Sequence, residues 1–70
     1  MFNLGVGYLD MGLYEDAETT FQKVTEINPL YDNAHYNLAV SMHKQGKVDE
    51  CVKELNKTLE VNPKYSDAYV

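Results

Sequence analysis

The chain predicts an all-α architecture of helix–turn–helix units stacked side by side, and three observations carry that expectation. The sequence repeats itself with a fixed step of 34 residues. Each copy places apolar residues at helical spacing on both sides of a glycine. Each copy also closes on Asn-Pro-x-Tyr, where the residue before proline leaves the helical region and a new helix must begin.

Sliding the 70-residue chain along itself by 34 pairs 36 positions, of which ten are identical. Chance supplies roughly two at average composition. The identities include Asn3/Asn37, Leu4/Leu38, Gly12/Gly46, Asn28/Asn62, Pro29/Pro63 and Tyr31/Tyr65. A step of this length marks a stacked-repeat protein.

The first helix runs up to Gly12, with Tyr8 on its core stripe. The second opens on Glu15-Asp16, carboxylates suited to the positive end of a helix dipole, and carries Ala17 and Phe21. The third, NAHYNLAVSMHK, puts Leu38, Ala39 and Met42 on one face and ends at Gly46, which can adopt the left-handed conformation of a helix terminus. The fourth, VDECVKELNKTLEV, aligns Val48, Cys51, Val52, Leu55 and Leu59 in one amphipathic stripe. Asp32 and Ser66 follow the two joints and are expected as N-caps.

The positions that repeat resemble the tetratricopeptide repeat family. The second copy matches its pattern at Ala34, Leu38-Ala39, Met42, Gly46, Cys51, Leu55 and Pro63. The first matches at Leu4-Gly5, Tyr8, Gly12, Ala17, Phe21 and Pro29. His35 and Met1 stand where that family often has tryptophan, and Cys51 and Thr58 replace alanines. The resemblance implies a right-handed α-solenoid with units at 1–31 and 32–65 and the start of a third at 66–70. The chain then reads as a cut-out of a longer array.

Composition excludes several functions. A net charge of −5, with six lysines and no arginine, argues against nucleic acid, which needs clustered positive charge. Six acids and one lysine fall in residues 1–35, against five of each in 36–70, so the first half is the acidic end. One cysteine cannot form an internal disulfide and suits a reducing, cytoplasmic setting. No apolar run reaches the length of a membrane span, so no membrane insertion is expected.

No catalytic constellation is visible, and the chain does not read as an enzyme. His35, His43 and Cys51 lack the spacing of a tetrahedral metal site, and no third group orients a Cys–His pair. Cys51 reads as a small residue at a helix–helix contact. Neither a metal nor a cofactor is expected.

What the resemblance implies is binding of a protein or peptide partner in the concave groove lined by the first helix of each unit. The groove residues on this basis are Phe2, Asn3 and Val6, followed by Asn33, Tyr36, Asn37, Val40, His43 and Lys44. Leu9, Asp10, Asp67 and Val70 extend the same face. The basic clamp by which some members of the family hold acidic tails is absent, since its places hold Phe2, Val6 and Asp67, with only Asn37 of the right kind. Asn3 and Asn37 fall where other members hold peptide main chain with one asparagine per repeat. Phe2, Val6, Tyr36 and Val40 would leave an apolar strip that a partner or a second copy must cover. The helix VDECVKELNKTLEV also leaves Val48, Val52, Leu55, Leu59 and Val61 with only Ser66 to Val70 to cover them, so self-association is expected, either by stacking or by straightening of the Gly46-Lys47 turn and exchange of helices.

Overall fold

The computed structural model describes residues 1–68. Among them the chain is all-helical: α1 (Phe2–Asp10), α2 (Tyr14–Ile27), α3 (Asp32–Lys44), α4 (Val48–Val61), and a short 3₁₀ turn, Ser66–Ala68. Neighbouring helices pack in succession, α1 on α2, α2 on α3 and α3 on α4. This is the all-α helical-repeat architecture that the 34-residue step predicts.

Both hairpins turn on the same device. Gly12 and Gly46 have φ of 77° and 80°, the left-handed region open to glycine without strain. Around Gly12, its own N–H donates to Leu9 O at 3.0 Å and the Leu13 N–H donates to Tyr8 O at 2.8 Å. Thirty-four residues on, Gly46 donates to His43 O at 3.0 Å and Lys47 to Met42 O at 2.9 Å. This paired closure satisfies carbonyls that a helix end would otherwise leave open. At the joints, Asn28 and Asn62 leave the helical region (φ −132° and −139°), as residues before proline do.

The core lies where α3 meets the first hairpin. Ala17, Phe21, Leu38, Ala39, Met42 and Cys51 form one buried cluster, with Phe2, Val6, Tyr8, Leu9 and Leu55 packed against it. Gly5 allows α1 to lie against the Phe21 ring, because a Cβ there would stand 2.7 Å from two ring carbons.

The fourth helix leaves Val48 and Val52 exposed, as expected of a stripe with little to cover it, and Leu55 and Leu59 half-buried, while Cys51 is buried at the helix–helix contact. Two features differ from expectation. The face that α4 turns inward carries Glu54 and Thr58 beside Cys51. Polar groups are tolerated there because each is bonded. Thr58 Oγ1 donates to Glu54 O at 2.9 Å, and the Glu54 carboxylate meets His35 and Lys57 at 3.1 Å each. The capping roles also differ. Tyr31 holds the cap position of α3 without a side-chain bond, while Asp32 is the first helical residue. Its carboxylate accepts the Asn33 N–H at 2.7 Å and the Asn62 side-chain amide at 2.9 Å, so it ties the two joints together. Ser66 opens the 3₁₀ turn, and no hydrogen bond to its hydroxyl occurs among the described residues.

Candidate functional site

Three of the expected groove residues come together on α3. Tyr36, Val40 and His43 succeed one another at helical spacing and line a concavity of about 380 Å³. Its far wall is α4, with Val48, Cys51, Val52 and Leu55, and Asp67 stands at its edge. The lining is overwhelmingly apolar. The α4 wall is not among the groove residues that the resemblance implies, although Val48, Val52 and Leu55 stand on the stripe expected to lie uncovered.

The other expected residues lie elsewhere. Phe2 is half-buried, edge-on to Phe21 (centroids 5.6 Å apart) and stacked on Tyr31 at 5.1 Å. Val6 and Leu9 pack against the core cluster beside it. Asn3, Asp10 and Lys44 are exposed. Asn33 accepts the Tyr65 hydroxyl at 2.8 Å, and the Tyr65 ring lies 5.1 Å from Tyr36. The Phe2–Tyr31 and Tyr36–Tyr65 pairs are one repeat apart, so both seams are closed by the same aromatic contact. Val70 lies outside the described residues.

The two asparagines at the matching register differ in their bonding. The Asn37 amide donates to Asn33 O at 2.8 Å, along its own helix. Asn3 has no side-chain hydrogen bond among the described residues. Asn37→Ala removes one exposed bond and improves helix propensity, so stability should change by less than about 0.5 kcal/mol. Thermal melting followed by circular dichroism checks this, and a loss of cooperative folding would make the amide a structural element.

Burial and charge set the local chemistry. Desolvation pushes the Cys51 thiol up, which disfavours the reactive thiolate. Burial, then the neighbouring Asp32, raises the Tyr65 hydroxyl, so it remains a neutral donor to Asn33. On the opposite flank of α3, Glu18 accepts from Gln45 at 2.7 Å and from Lys47 at 3.0 Å, and that hydrogen bond raises the Lys47 ammonium. His35 is buried, its Nε2 donating to Pro29 O at 2.7 Å. No group of three His, Cys, Asp or Glu side chains is arranged to hold a metal among the described residues. No helix there is long and apolar enough to cross a membrane.

The sequence profile of the tetratricopeptide repeat matches residues 8–70. No curated protein matches the chain.

Proposed function

The chain belongs to the tetratricopeptide repeat family, whose repeats generally mediate protein–protein interactions, and from that premise we propose that it is a binding module seating an apolar helix or peptide between α3 and α4. The carrying observation is the apolar concavity that Tyr36, Val40 and His43 share with Val48 and Val52. Exposed aliphatic side chains concentrated in one cleft stabilise a partner by losing water on contact. Around it, Asn33, Asn37 and Lys44 supply the polar rim, and Asn3, with Phe2 and Val6, continues the face onto the first hairpin. The role is that of a scaffold without catalysis or cofactor, acting in the cytoplasm.

Selection of phage-displayed peptides on the immobilised chain, followed by titration of the selected peptides, tests the site. The Tyr36→Ala/Val40→Ser variant should bind them about tenfold or more weakly, as loss of a central apolar anchor does. Its helical circular dichroism should be unchanged. Equal affinities for parent and variant would overturn the placement.

A further inference from the structure

The internal repeat offers a template for what fills the cleft. Moving the cleft residues back by 34 turns Tyr36, Ala39, Val40, His43, Cys51 and Leu55 into Phe2, Gly5, Val6, Leu9, Ala17 and Phe21. That second set is where α3 docks, with Leu38 and Met42 joining the same cluster. The helix that corresponds to α3 is α1, and its counterparts of Leu38 and Met42 are Leu4 and Tyr8. Leu4 is exposed, as are Met1, Met11 and Leu13 beside it.

The polar contacts of the internal seam decide which occupant fits. There, Gln45 and Lys47 of the docking side meet Glu18 of the receiving side. One repeat away, the docking positions are Met11 and Leu13, 65% and 44% exposed, and the receiving position is Val52, 44% exposed. Both sides of this contact have changed from charged or polar to aliphatic together. An α3-like helix with Gln45 and Lys47 would strand an amide and an ammonium against Val52. Met11 and Leu13 would not.

We infer that the cleft between α3 and α4 receives α1 of a second copy of this chain, in the register by which α3 sits on α1 and α2. This names the partner of the site proposed above and rests on that reading. The contact is heterologous: one copy offers α1 and the other offers the cleft, so it continues from copy to copy and does not close on itself. Leu4 then takes the place of Leu38, and Met11 and Leu13 cover Val52.

Sedimentation equilibrium of the full chain and two variants tests it. The parent should gain mass continuously with concentration. Leu4→Glu spoils the docking stripe and Val52→Glu the cleft, both at exposed positions the fold does not depend on. Each alone should weaken association by about tenfold or more, because a charge would be trapped in the contact. Mixed in equal amounts, they should form a one-to-one dimer and nothing larger, since each retains the face the other has lost. Failure of the mixture to dimerise, or a closed dimer of the parent formed by helix exchange at Gly46-Lys47, would overturn the inference. Selected peptides still lost on Tyr36→Ala/Val40→Ser would in that case leave the binding module standing and its partner a different protein.

Discussion

Phe21→Ala should cost about 3–5 kcal/mol, the range for truncating a fully buried phenylalanine. A chain of 70 residues holds on the order of 3–10 kcal/mol in all, so the variant should be largely unfolded or close to it. Urea denaturation followed by circular dichroism measures the loss, and a cost below about 1 kcal/mol would mean the ring is not central to the core. A finer comparison comes from the repeat itself. Where the first hairpin pairs Gly5 with Phe21, the second has Ala39 and Leu55 in the corresponding places. Gly5→Ala alone drives a methyl group to 2.7 Å from the ring and should cost about 1–3 kcal/mol, even though alanine favours the helix. Phe21→Leu alone leaves unfilled space. Together they rebuild the pairing of the second hairpin, and the combined loss should be smaller than the sum by about 1 kcal/mol or more. Strict additivity would show that the two sites do not share their space.

Glu54→Leu should cost about 1–3 kcal/mol, because it leaves His35 Nδ1 buried without its hydrogen-bond partner. Lys57 loses its ion pair as well, but it is more than half exposed and contributes little. Glu54→Gln keeps a hydrogen-bonding group near the ring and should lose less. His35→Leu leaves the Glu54 carboxylate with Lys57 as its remaining partner and removes the donor to the Pro29 carbonyl. The double Leu variant leaves no half-paired group between the two positions, so its loss should fall short of the summed single losses. If Glu54→Leu proves neutral or stabilising, the buried pair is dispensable to the fold, as apolar replacements of buried pairs sometimes show.

The parts of the molecule legible in the sequence are those written twice. Gly12 and Gly46, Asn28 and Asn62, and the two prolines announce where helices stop, because each acts through backbone geometry within a few residues. The inward face of α4 was legible only in part. Cys51 and Thr58 are buried where small residues are expected and Val48 and Val52 stay exposed, but Glu54 is buried as well. Its burial depends on His35, nineteen residues away on α3, and no local pattern reveals that partner. Asp32 shows the same limit. Its position suggests a cap, while its carboxylate is shared with Asn62 from the far joint. In the candidate site, the α3 contribution could be placed by resemblance. The α4 wall required knowing that Val48 and Val52 stand across from Tyr36 and Val40 in a single cleft.

Because each helix packs chiefly on the one before it and the one after it, no stretch of chain has to find a distant partner before it gains anything from folding. Only short loops must close, and their entropy cost is small and is met one hairpin at a time. Chains wired in this way reach the native state in about microseconds to milliseconds. The same wiring lets the ends open without dissolving the middle, since α1 and α4 each rest mainly on one neighbour. A face assembled like this is quick to lose at its margins and equally quick to re-form.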